Sequence, residues 1–171
     1  MSVLQTDRLL LRPISIADFE AHARITADPE VMRFIHDGPL SRVAAWWNVA
    51  RYVGHWHLRG YGMWSVVERL SGQVIGHLGF LKPEGGYGFE LGWALARSAW
   101  GHGYALEGAR AAVAYGFSAL DERHIICVIH AENRRSIRIA ERLGAGLERQ
   151  VSEGDRLLLI YGIHREEPAA A

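Results

Sequence analysis

The chain has 171 residues, 49% of them apolar and 22% charged, which is enough for one buried core, short for two, and too apolar for a disordered protein. Its 19 basic residues balance 19 acidic ones, so no overall field recommends nucleic acid or an anionic membrane as the main partner, and any phosphate recognition has to be local. Charges at Asp7, Arg8 and Arg12 interrupt the N-terminal apolar runs and the single cysteine, Cys127, has no partner for an internal disulfide, so neither a signal peptide nor a membrane span is read and a reducing, cytoplasmic setting is expected.

Residues 1–166 are expected to form the domain, and 167–171, too short and small to pack, a disordered tail. In chain order, residues 7–12 alternate briefly as a strand that Pro13 stops. Ser15 with Asp18 three residues on makes a capping-box helix start, and Asp28 before Pro29 makes a second. Ser41 caps a longer helix in which Val43, Trp46, Trp47, Ala50, Val53 and His57 recur at three- and four-residue spacing, ending near Gly60.

The period then changes. YGMWSVV, QVIGHLGFL and YGFELGWAL, separated by turns at Ser71–Gly72 and Pro83–Gly86, read as three strands of an antiparallel meander. Residues 104–120 form a helix with an unusually small face, including Ala105, Ala109, Ala112 and Gly116, suited to close packing on a sheet. HIICVIH is an apolar strand that buries Cys127, residues 136–143 are a helix, and LERQVS with RLLLIYGI form a final strand pair. This order means an α+β domain with a mostly antiparallel sheet.

The most informative stretch is ALARSAWGHGYALEGARAA, where a strand ends near Leu95 and a helix begins near Tyr104 after Gly101 and Gly103. Glycines let the backbone approach an anion, and free N–H groups at a helix N-terminus suit a pyrophosphate. Arg97 and His102 add local positive charge. Two glycines at a strand-to-helix turn are also ordinary turn chemistry, so the wider pattern has to decide.

That pattern is TDRLLLRP, ADPEVMRF, HLRGYGMWSVVER, IGHLGF, FELGWAL, WGHGYALEG and AENRRSIRIAERLGAG. In order and residues it resembles the GNAT N-acetyltransferase superfamily, in particular the branch of ribosomal-protein N-terminal acetyltransferases of the RimJ and RimL type, over nearly the whole chain. The resemblance implies a single domain with a central, mostly antiparallel, twisted mixed sheet flanked by helices, and acetyl-CoA as cosubstrate. It implies that Trp100, Gly101, His102, Gly103, Tyr104 and Ala105 surround the CoA pyrophosphate. Asn133 and Ser136 would line the pantetheine arm, which Leu95 meets through its backbone, and a backbone N–H of the strand holding Trp93, Ala94 and Leu95 would meet the oxyanion. Two positions depart from the family: Trp100 stands where glutamine or arginine is frequent, and Ala140 where many members carry the tyrosine that protonates the leaving thiolate.

A protonated amine must lose a proton before it attacks a thioester. Glu90, set between apolar neighbours in FELGW, is the candidate base, since desolvation raises a carboxyl pKa; ordering the strand end is its structural alternative. Ser136, or Tyr161 on the last strand, is the candidate partner of the leaving thiolate, against a helix-capping role for the serine and core packing for the tyrosine. No metal is required: His55 and His57, two apart on a helix, point to different faces. Trp46, Trp47, Trp56, Tyr61 and Trp64 are read as core packing in preference to an acceptor cleft, with a homodimer contact open for those on the helix. Arg134 and Arg135 reach the adenosine phosphate or solvent. The acceptor is a protein N-terminus or a small amine, and Asp28, Glu30 and Asp37 would favour a cationic one if they line its cleft. A nicotinamide enzyme is disfavoured because Leu106 stands where a third glycine belongs. A non-catalytic acyl-CoA-binding or regulatory module of the same fold is the alternative.

Overall fold

A computed structural model of the chain describes residues 1–35 and 38–165; Asp37 and the expected tail lie outside them. The elements are β1 (Leu4–Gln5), β2 (Leu9–Pro13), α1 (Phe19–Thr26), α2 (Pro29–Met32), α3 (Arg42–Arg59), β3 (Met63–Glu68), β4 (Val74–Leu81), β5 (Glu90–Leu95), α4 (Tyr104–Ser118), β6 (His124–His130), α5 (Arg134–Arg142), β7 (Gly146–Glu153) and β8 (Arg156–His164), with 3-10 turns at Ile16–Asp18 and Arg97–Ala99. The strands form one sheet in the order β1-β2-β3-β4-β5-β6-β8-β7, with β5 and β6 parallel and every other pair antiparallel. This is the α+β architecture and mixed sheet that the element order implies.

The cap residues act where the sequence puts them. Asp28 accepts from Glu30 N–H and Ser41 from Ala44 N–H. Gly60 ends α3 at φ +76°, a left-handed conformation that costs glycine little. Asp18 accepts from Ser15 N–H at 2.9 Å and takes two bonds from Arg12 at 2.8 and 2.6 Å. Burial alone would raise the Asp18 pKa, but Arg12 and Ser15 hold it below the usual carboxylate range.

One sheet face packs on α4. Its small residues do what the pattern predicts: Ala109 and Ala112 are fully buried, and a Cβ on Gly116 would come within 3.0 Å of Phe80 and Ile125. Leu9, Leu11, Trp64, Leu78 and Phe80 fill the layer between. The other face is covered by α1 and α3, where Val49, Tyr52, Met63 and Ile14 cluster.

The α3 row corrects the expectation. The buried residues are Ala45, Val49, Tyr52 and Trp56, whereas Val43, Trp46 and Trp47 are exposed. Two apolar rows interleave on this helix, and the tyrosine row, which can reach the sheet, is the one that packs. Trp56 and Trp64 are therefore core, and Trp46 and Trp47 stand edge to face on the surface with ring centroids 4.9 Å apart. The start of α5 is the second correction: its N-cap is Asn133, whose side chain accepts from Ser136 N–H at 3.2 Å, so Ser136 lies within the first turn and is not the cap.

Candidate active site

β5 and β6 pair at one position only, Glu90 with Ile126, supported by the bond from Ile126 N–H to Phe89 O at 2.9 Å. Beyond it the strands part. Because Ala96 N–H bonds Ile75 O at 2.8 Å, the neighbouring pair Leu95–Gly76 is one in which the antiparallel alternation turns the backbone groups of Leu95, and two residues earlier those of Trp93, away from β4 and toward the parting.

A cavity of about 640 Å³ occupies this region. Trp93, Ala94 and Leu95 line it from β5, Trp100, Gly101, Gly103, Tyr104 and Ala105 from the loop and the start of α4, and Asn133 with Ser136 from α5. The structure thus gathers ten of the residues singled out in the sequence around one space. Gly101 and Gly103 both have φ +79°, conformations that favour glycine. Glu107 N–H is the first to bond back into α4, to Gly103 O at 3.0 Å, so the N–H groups of Tyr104, Ala105 and Leu106 have no partner within the helix and belong to residues that line the cavity.

The loop is fastened from both sides. Trp100 donates its indole N–H to Leu95 O at 2.9 Å and lies under the Arg135 guanidinium, 4.3 Å from the ring centre. Arg8 donates to His102 O at 2.9 Å and to Glu107 at 2.7 Å, and Thr6 also donates to Glu107, at 2.6 Å. Arg97 and His102, expected at the cofactor, do not line the cavity: Arg97 pairs with Asp28 at 3.2 Å, and His102 stacks on Tyr104 with its Nδ1 2.9 Å from Trp100 O.

Sequence reasoning missed part of the wall. Arg134 and Arg135, named from the sequence, do line the cavity, but Arg138 and Arg142, which continue the row from Arg134 every four residues along α5, were not named, nor were Arg33 and Phe34 after α2. The arginine spacing was readable as one helix face; the α2 contribution was not, since it comes from a distant part of the chain. Glu30 lines the cavity too, while Asp28 is taken by the cap and by Arg97.

Glu90 and Tyr161 are not in the lining. Glu90, half-buried at the strand junction on the α3 side, has a pKa pushed up to about 7 by desolvation, with the nearby Arg51 charge opposing the rise. Behind it the rings of His22, Tyr52 and His77 pack with centroids 4.9 to 5.9 Å apart. Tyr161 is buried in the main core, opposite Cys127 across the β6–β8 ladder. Burial raises the Cys127 pKa to about 12, with a smaller contribution from Glu90, which leaves a neutral thiol. Ala140, at the family's tyrosine position, is fully buried. His55 uses both ring nitrogens, Nδ1 with Tyr61 O at 2.8 Å and Nε2 as acceptor from Lys82 N–H at 3.1 Å.

The sheet that opens at one parallel junction and the helix start aimed into the opening define an acetyltransferase of the GNAT type, and residues 8–146 match the family model for the acetyltransferase (GNAT) domain. The chain belongs to this family and is an N-acetyltransferase. It is 30% identical over 141 residues, 82% of this chain and 81% of the other, to the N-acetyltransferase YnaD of Bacillus subtilis. It matches the crystal structure of an acetyltransferase from Agrobacterium tumefaciens with a TM-score of 0.87 and 30% identity, over 96% of this chain and 95% of that one. RimL, a ribosomal alpha-N-protein acetyltransferase solved in complex with coenzyme A, shares the fold with a TM-score of 0.80 at 18% identity, over 95% of this chain and 98% of its own. Among the described residues no helix is long and apolar enough to cross a membrane.

Proposed function

We propose that the cavity binds acetyl-CoA and that the chain transfers the acetyl group directly to a primary amine, either the α-amine of a protein or a small amine. The observation that carries this reading is the coincidence, around one space, of three unpaired first-turn N–H groups of α4, the backbone of the parted strand and an arginine row on α5. The N–H groups and the helix dipole suit a diphosphate, the arginines suit further phosphate, and the edge of β5 suits an extended arm carrying amides.

In the chemistry we assign, the amine nitrogen attacks the thioester carbonyl carbon, the carbon–sulfur bond breaks, and the electron pair leaves on sulfur. A backbone N–H of Trp93 or Leu95 stabilises the oxyanion on the way. Glu90, with a pKa of about 7, takes the amine proton directly or through water, which requires the acceptor to approach from the α3 side of the sheet. Ser136 lines the cavity, and its hydroxyl donates to the leaving thiolate, in the absence of a tyrosine at Ala140.

Calorimetric titration with acetyl-CoA, CoA and NADH, followed by thiol release against a panel of peptides and small amines, tests both halves. Binding of both CoA forms but not NADH, with release that depends on one amine class, is the expected result. No CoA binding would overturn the cavity assignment; binding without release by any amine would overturn the transfer chemistry.

A further inference from the structure

Away from the cavity, three strands bring two imidazoles and a carboxylate to one point. His124 of β6 and His164 of β8 are register partners, with rings stacked at 4.4 Å and 8°. Their Nε2 atoms lie 2.9 and 2.8 Å from the same oxygen, Oε1 of Glu148. Glu148 reaches them because the β7–β8 register shifts between Leu147 and Arg149, and an extra residue in a strand re-aims its side chain. None of the three lines the cleft.

Gly162 shows how closely this point is built. A Cβ there would fall 1.8 Å from Glu148 Oε1, 2.2 Å from its Cδ and 2.7 Å from His124 Nε2. The carboxylate thus lies directly over Gly162, and a side chain there would have to push the Glu148 carboxylate and the His124 ring aside, the close-approach use of a strand glycine.

We infer that His124, Glu148 and His164 form a site for a divalent transition ion of the zinc class. The three candidate ligand atoms all lie within 4.8 Å of one another. Two imidazole nitrogens and one carboxylate oxygen suit zinc and its neighbours and exclude magnesium or calcium as the preferred guest. Metal–ligand bonds of about 2.0–2.1 Å in a tetrahedron put ligands roughly 3.3 Å apart, and because the two rings now stack nearly parallel, an ion also needs both imidazoles to turn until their Nε2 lone pairs converge on it. The side chains of His124 and His164 are 41% and 69% exposed, which leaves them free to make that turn and leaves the fourth position to water. An ion here ties β6, β7 and β8 together.

The test uses the full chain without an affinity tag. Titration with Zn2+ is expected to give saturable binding of one ion and a raised Tm, and Co2+ to give the visible absorption of a low-coordinate nitrogen and oxygen site. His164→Gln and Glu148→Gln should each weaken Zn2+ by more than the roughly 10–100-fold that outer-shell changes cost, with acetyl-CoA affinity unchanged. Absence of saturable Zn2+ binding and of the Co2+ spectrum in the unaltered chain would overturn the site. So would Zn2+ affinity in both variants equal to that of the unaltered chain, which would move the ion to other histidines.

Discussion

Trp100 and Leu95 are joined by a 2.9 Å bond from the indole N–H to the carbonyl oxygen, so the side chain that stands where the family resemblance implied a polar anchor ties the loop back to the end of the strand it follows. The bond occupies one lone pair of a carbonyl in the backbone through which Leu95 was expected to meet the coenzyme arm, leaving the Leu95 N–H and the groups of Trp93 as the freer contacts. Trp100→Phe keeps a ring for Arg135 and removes this bond. It should lower stability by about 1 kcal/mol and weaken acetyl-CoA several-fold, as measured by thermal melts and calorimetry.

Gly103→Val tests the loop itself. A Cβ there meets only an Arg8 nitrogen at 3.6 Å, so the penalty is backbone strain at φ +79°, about 1–2 kcal/mol for a residue with a side chain. The expected result is a folded protein whose acetyl-CoA binding is lost; calorimetry showing retained affinity contradicts the pyrophosphate assignment.

Glu90→Gln should reduce turnover at least tenfold while sparing acetyl-CoA affinity, and should abolish a rise in kcat with pH centred near 7. The sign for stability is separate. The folded pKa, about 7, is raised above the usual value of 4.5, so the native state holds the extra proton between these values, and stability falls as pH climbs through that window. Glu90→Gln removes that fall, so melts at pH 5 and pH 8 should differ less in the variant than in the parent.

Ser136→Ala should lower kcat with little change in acetyl-CoA affinity, since its backbone N–H, the group that Asn133 holds, survives. The expected signature is a smaller loss with an activated thioester whose leaving thiolate is less basic. An equal loss with both thioesters argues for a packing role.

Asp18→Ala is a stability test at a distance from the cavity. Asp18 is 2% exposed and bonded to Arg12 and Ser15, so its removal strands a guanidinium and should cost about 3 kcal/mol. Its folded pKa is lowered, so the stability it contributes is present above the ordinary carboxylate range and is lost as pH falls through the folded value. Denaturant titrations at pH 7 and pH 3 should show the variant's deficit shrinking in acid.

Local chemistry was readable where a residue acts on its own neighbours. Asp28, Ser41 and Gly60 cap as their types dictate, the small face of α4 announced its contact with the sheet, and the apolar setting of Glu90 announced its desolvation. What escaped depended on distant chain segments. β1 has two residues, too few for a period. α5 is capped by Asn133 and begins on Arg134 and Arg135, with no apolar spacing until Ile137. The choice between the two apolar rows of α3 is made by the sheet it crosses. His124, Glu148 and His164 meet only because β6, β8 and β7 stand side by side in an order the chain does not follow.

The single junction of Glu90 with Ile126 also divides the sheet mechanically. Strands β1 to β5 form one plate and β6, β8 and β7 another, joined edge to edge by little more than a rivet and otherwise by the helices above. A molecule seated in the gap grips both plates at once, so it acts as a fastener whose effect extends well beyond its own contacts. Amide exchange along the inner edges of β5 and β6 would then register occupancy of the gap directly, falling as the two plates lose the freedom to part.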